Sequence, residues 1–137
     1  MERSYVGPAF ADAKVRDAMR VGVVTCRPET ALADVARIMV GYDIHSVVVS
    51  DVQGEAGMWG IVTSLDLARR PDEVGSLTAG EVASTDLVTV DSNESLARAA
   101  ELMAEHRVTH LIAVQPGTGR PAGMISARGL AAALAYG

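Results

Sequence analysis

Slid against itself by 64 residues, the sequence places Val24 on Val88, Thr25 on Thr89, Leu32 on Leu96, Ala33 on Ala97, Ala36 on Ala100 and Met39 on Met103. A loop one residue shorter in the second copy changes the offset to 63, so Gly60 meets Gly123, Thr63 meets Ser126, Leu67 meets Leu130 and Ala68 meets Ala131. A tandem duplication ties the fold to two copies of one supersecondary unit. It predicts a division into 1–72, a first repeat with its N-terminal lead-in, and 73–137, a second repeat. The stretch RRPDEVGSLTAG, with Pro71 and Gly75, reads as the connector.

Each copy predicts the order β-α-β-β-α, an α/β fold. A helical lead-in (AKVRDAM, then AGEVAS) precedes a β-branched strand, VVTC at 23–26 and LVTV at 87–90. A helix follows, with Leu32, Val35, Ala36 and Met39 at helical spacing in one copy and Leu96, Ala99, Ala100 and Met103 in the other. Thr30 is the expected N-cap of the first helix, and Ser92 or Ser95 of the second. The next strands, SVVV at 46–49 and HLIAV at 110–114, are apolar at nearly every position, as expected of strands covered on both faces in a helix-crossed parallel pair. Polar turns, VQGEAG and QPGTGRP, lead into a last strand. One such unit is too small to hide both faces of its sheet, so the copies are expected to pack together.

The last strands end in GIVTSLDL at 60–67 and GMISARGL at 123–130, where Asp66 has become Gly129. A strand that ends at Thr63 and opens a helix at Ser64 presents backbone N–H groups and the positive end of a helix dipole, a place for phosphate. Gly60 lets the backbone pass close to a flat group, the Thr63 hydroxyl can donate to phosphate, and an ionised Asp66 can accept from both hydroxyls of a ribose. The same T-S-L-D is also a capping box, in which Asp66 reaches back to the Thr63 N–H for purely structural reasons. In the second copy Ser126 can cap or touch phosphate, but Gly129 offers ribose no acceptor, and Arg128 stands beside it.

Two copies of about 60 residues with this element order and these closing motifs resemble a pair of CBS domains, or Bateman module, over Val15 to Leu134. The resemblance implies two repeats packed with pseudo-two-fold symmetry and a regulatory sensor of adenosine-containing ligands, with AMP, ADP, ATP or S-adenosylmethionine as candidates and no required cofactor. It places Val24, Thr25, Ile44 and His45 in the pocket wall with Gly60, Thr63 and Asp66. A possible second site comprises Ser126, Arg128, Arg107 and His110. The segment HRVTHL at 106–111 resembles the family's basic stretch ahead of the second strand, whereas the first copy has Tyr42 and Asp43 there and only His45 to match. His106 and Arg107 are equally readable as the solvated end of a helix, with cations at its negative pole. Where many members carry a proline in that strand, Val47 and Ile112 stand here. The resemblance also implies assembly with another module. The closing helix ARGLAAALAY, small and apolar, is expected to make a homodimer.

Other classes find little support. With a net charge of −5 and scattered bases, the chain shows no electrostatic footprint for nucleic acid. Cys26 is the single cysteine, which excludes an internal disulfide and a thiolate cluster. His45, His106 and His110 lack accompanying acids at metal-ligand spacing, and no metal is expected. The methionines read as core, and Trp59 as an adenine-pocket wall or packing. No nucleophile elbow, phosphate-binding loop or H-E-x-x-H occurs, so no enzyme is expected. The start of the chain lacks a signal-peptide core and no run of about 18 apolar residues occurs, so the expectation is a cytoplasmic protein without membrane attachment, acting on an unknown regulated partner. An alternative is a pure interaction scaffold with vestigial clefts.

Overall fold

The computed structural model of the chain describes residues 5–51 and 57–137. Its elements are α1 (Val15–Ala18), β1 (Arg20–Val21), β2 (Thr25–Cys26), α2 (Leu32–Tyr42), β3 (Ser46–Ser50), β4 (Met58–Thr63), α3 (Ser64–Ala68), α4 (Ala79–Val82), β5 (Thr89–Asp91), α5 (Leu96–His106), β6 (His110–Val114), β7 (Pro121–Ser126) and α6 (Ala127–Tyr136). The expected order appears twice, as β2-α2-β3-β4-α3 and β5-α5-β6-β7-α6. The turn expected at 52–57 lies, except for Gly57, outside the described residues.

The chain forms two compact units, one of Val23–Leu87 and one in which the lead-in up to Gly22 joins Val88–Gly137. This partition differs from a cut at 72/73, because each lead-in completes the sheet of the other copy. In one unit the Val15 and Arg16 N–H groups donate to the Glu94 and Ser92 carbonyls (2.8 and 2.9 Å), and β1 runs antiparallel to β7, with Arg20 opposite Met124. In the other, the Ala79 and Gly80 N–H groups donate to the Thr30 and Pro28 carbonyls, and Ser84 and Ile61 exchange two bonds of 2.9 Å.

Within Val23–Leu87 the strand order is β2-β3-β4. β2 and β3 are parallel (Thr25 opposite Val48) and β3 and β4 antiparallel (Ser46 opposite Thr63), because α2 supplies the crossover a parallel pair needs. Every residue of β3 is buried, as its continuous apolarity predicts. Leu32, Val35 and Met39 of α2 pack on Val47, Val49, Val62 and Ala79. Burying a side chain of this size is worth about 1.5–3 kcal/mol. Thr30 does not cap α2: Ala31 holds the cap position without a side-chain bond, and the Leu32 N–H is satisfied by the Leu77 carbonyl of the connector at 3.0 Å.

The other unit has the order β1-β7-β6-β5. Leu96, Ala99 and Met103 of α5 meet Leu111, Ala113 and Ile125, with Tyr5, Ala13 and Val15 added from the lead-in. Of the two candidate serines, Ser95 caps α5, its Oγ accepting the Arg98 N–H at 3.1 Å. The duplication extends to irregularities. The register shifts between Val49 and Ser50 and between Ala113 and Val114, and α2 and α5 end on left-handed residues, Asp43 (φ 54°) and Arg107 (φ 56°). Leu130, Ala132 and Ala133 of α6 are buried within this unit, leaving Leu134 and Tyr136 as its exposed large apolar residues.

Candidate functional site

The first repeat's motif sits where β4 ends and α3 begins. Thr63, in extended conformation, is the N-cap of α3. Its N–H donates to Asp66 Oδ2 at 2.8 Å, its hydroxyl donates to the same oxygen at 3.0 Å, and its Oγ1 accepts the Asp66 N–H at 3.3 Å. The capping box is therefore formed. Both bonds on the carboxylate use Oδ2, and a carboxylate offers two oxygens and about four lone-pair sites, so capping leaves acceptor capacity at a half-buried position.

Two features of the junction bear on the expected phosphate and flat-group contacts. The Ser64 N–H donates to the His45 carbonyl at 2.8 Å, and α3 is five residues long. Few amides remain free at its start, and a helix of this length sums few peptide dipoles, so the phosphate-cradling argument loses force. Gly60 is buried, and the space a side chain would take is filled by Ala83 Cβ (2.9 Å) and the Ser84 carbonyl (3.3 Å). The chain's own connector fills the space beside this glycine.

Acids at the same helical position also cap elsewhere. The Lys14 N–H donates to Asp17 Oδ2 (2.8 Å) and the Thr78 N–H to Glu81 Oε1 (2.9 Å). Those two bonds are exposed, whereas the Thr63–Asp66 pair is part-buried.

Sheet register gathers the other first-repeat candidates. Thr63 lies opposite Ser46, the first residue of β3, and Ile44 and His45 run directly into that strand, while Thr25 lies opposite Val48 at the middle of β3, with Val24 one residue before it. Val24 and Thr25 are half-buried, and the Val24 carbonyl accepts the Val48 N–H (2.9 Å). Ile44 packs on the core, while the His45 side chain is exposed. Trp59 packs against the same core, its Nε1 buried without a hydrogen-bond partner among the described residues. Burial pushes the Cys26 thiol above its ordinary value, with a hydrogen bond from Thr30 opposing that rise.

In the second repeat Ser126 Oγ accepts the Gly129 N–H at 3.0 Å, and the Ala127 N–H donates to the Thr109 carbonyl at 2.8 Å, matching Ser64 and His45. The acid is missing, and a Cβ on Gly129 would stand 3.3 Å from the Ala18 carbonyl, because α1 packs against α6 at that point. Arg128 is exposed on the first turn of α6, Arg107 is the exposed residue that ends α5, and the half-buried His110 has its Nδ1 3.0 Å from Thr109 Oγ1. Sequence reasoning missed the left-handed pair Asp43 and Arg107, although their shared place in the repeat was the available signal. Among the described residues no three His, Cys, Asp or Glu side chains converge as metal ligands, and no helix is long and apolar enough to cross a membrane.

The CBS domain family model matches residues 15–73 and again 79–136. The chain belongs to the CBS domain family. It is 30% identical over 100 residues to the CBS domain-containing protein YhcV of Bacillus subtilis, covering 71% of this chain and 69% of that one. A homoserine O-acetyltransferase of Methanocorpusculum labreanum is 29% identical over 107 residues, but the likeness takes in 77% of this chain and 21% of the enzyme's length. The CBS domain pair of protein MJ0100, solved with 5′-methylthioadenosine and S-adenosyl-L-methionine, superposes with a TM-score of 0.73 at 19% identity, over 87% of this chain and 93% of that one. The two repeats described above are thus the halves of a CBS domain pair.

Proposed function

We propose that this chain is a non-enzymatic regulatory module whose first repeat takes up an adenosyl compound, with AMP, ADP, ATP and S-adenosylmethionine as candidates, and reports its presence to a protein partner. The observation that carries the reading is the half-buried Asp66 carboxylate, held by two bonds on Oδ2 at the strand–helix junction. Its remaining lone pairs suit a ribose diol. The adenosyl compounds bound by the CBS pair of MJ0100 support the same ligand class. Ile44 and His45, which lead into β3, and Val24 and Thr25, beside it at β2, would wall the pocket. The second repeat has no carboxylate at Gly129, so Ser126, Arg128, Arg107 and His110 form at most a site without a ribose grip.

The test is thermal unfolding with each compound in turn. A ligand present at 100 times its Kd adds about 2.7 kcal/mol of stability if it binds only the folded chain. Asp66→Asn keeps an oxygen that can accept the Thr63 N–H while removing the charge, so it should abolish the ligand-induced shift with little change in the unliganded midpoint. An unchanged midpoint with every compound would reject the sensor.

The alternative, a cytoplasmic interaction scaffold, is favoured by a different observation. Val40, Tyr42 and Leu65 are 82%, 60% and 54% exposed on α2 and α3, a poor solution for an isolated monomer. Both readings accommodate a homodimer. Sedimentation that shows only monomer at micromolar concentration would remove it.

A further inference from the structure

The two units divide the charge unequally. Val23–Leu87 carries four arginines and no lysine against ten acidic residues, a net charge of −6, while the rest of the chain carries +1. Three of the four arginines are already matched by acids, Arg27 by Glu29 (3.2 Å), Arg37 by Asp34 (2.7 Å) and Arg70 by Glu73 (3.9 Å). The fourth, Arg69, is exposed and ends α3 three residues beyond Asp66.

The imbalance recurs beside the site. The His45–Ser64 bond pins the start of α3 to the chain leaving α2, and Asp43 and Asp66 each lie two residues from it. Their structural equivalents in the second repeat are Arg107, in the same left-handed conformation, and Gly129. One repeat therefore presents two carboxylates where the other presents a guanidinium and no side chain. Charge close to a surface site is screened less than charge beyond the Debye length of about 8 Å at physiological salt, so acids two residues from the His45–Ser64 bond bear on a ligand there more than the chain's remote charges do.

We infer that the adenosyl compound taken by the first repeat carries no polyphosphate, and that a neutral or cationic group, such as a thioether or a sulfonium, stands where a nucleotide carries its phosphates. The inference rests on the reading of Asp66 as the residue that holds the ribose. Each added phosphate brings negative charge toward two carboxylates, and among the described arginines of Val23–Leu87 only Arg69 is not already matched by an acid, whereas a sulfonium is drawn in.

Isothermal titration of the full chain with adenosine, 5′-methylthioadenosine, S-adenosylmethionine, AMP and ATP tests this at two salt concentrations. S-adenosylmethionine and methylthioadenosine should bind roughly tenfold or more tighter than ATP. Added NaCl should weaken S-adenosylmethionine, leave adenosine unchanged and strengthen ATP. Asp43→Arg, which copies the second repeat at an exposed position, should narrow the gap to ATP severalfold without altering adenosine. ATP binding as tightly as methylthioadenosine, with Asp66→Asn abolishing both, would overturn the charge inference and leave the ribose site standing. No binding by any of the five would overturn the site and the inference together.

Discussion

The backbone carbonyl of Arg20 occupies the space into which a side chain on Gly123 would project, with Met19 Sδ 3.2 Å from the same point. In the first repeat the equivalent Gly60 faces Ala83 and Ser84. One cause therefore accounts for both glycines: the exchanged lead-in crosses the last strand of each repeat at this level.

Gly123→Ala should consequently cost more than about 2 kcal/mol and Gly60→Ala about 1–2 kcal/mol, because rigid groups must move in both but the nearest atom to Gly60, Ala83 Cβ, stands farther off than the Arg20 carbonyl does from Gly123. Urea midpoints of the two variants check the order. Equal midpoints to the parent chain would mean that the crossings are looser than described.

Arg107 pays for a left-handed backbone that glycine adopts freely. Arg107→Gly should stabilise the chain by about 0.5–1 kcal/mol, and Asp43→Gly by less, since Asp tolerates this conformation better. Chemical denaturation measures both.

Ser95→Ala removes the oxygen that accepts the Arg98 N–H and should cost about 1 kcal/mol. Thr30→Ala should cost less than about half of that, because the first amide of α2 is satisfied by the Leu77 carbonyl. A larger loss at Thr30 than at Ser95 would contradict the capping assignment.

The raised Cys26 pKa means that the fold holds the thiol proton more tightly than the unfolded chain does. Its contribution to stability is complete below the unfolded thiol value and declines as pH rises through the folded one. Iodoacetamide labelling of the folded chain should reach half its maximal rate at higher pH than a free cysteine, and Thr30→Val should move that point higher still. A profile matching free cysteine would refute the assignment.

A fragment of residues 23–87 should retain cooperative unfolding, seen by circular dichroism, because it keeps the Leu32–Leu77 and Ile61–Ser84 hydrogen bonds. A fragment of 1–72 lacks those partners and carries α1 without the strand and helix it docks on, so it should unfold without a sharp transition.

Much of this was readable in advance. Leu32, Val35 and Met39 repeat at helical spacing and do face the core, and the unbroken apolarity of Val47 to Val49 announced a strand covered on both faces. The exchange of lead-ins was not readable, since Val15 and Ala79 are apolar in either arrangement and nothing in their spacing names the sheet they complete. Nor did GIVTSLDL distinguish a cap from a ligand grip. The structure shows that one carboxylate oxygen suffices for the cap. Gly60 is a related case: a glycine permits close approach, and its three-dimensional neighbours, Ala83 and Ser84, show what approaches it within the chain.

The crossing of the lead-ins also bears on how such a chain arises. In this chain each repeat's lead-in is used by the other copy, so an isolated repeat in the same arrangement would complete its sheet by trading segments with another molecule. Fusing the two copies turned that exchange into an internal one, independent of concentration. It also freed each copy to drift, so that one could retain an acid at Asp66 while the other accepted Gly129.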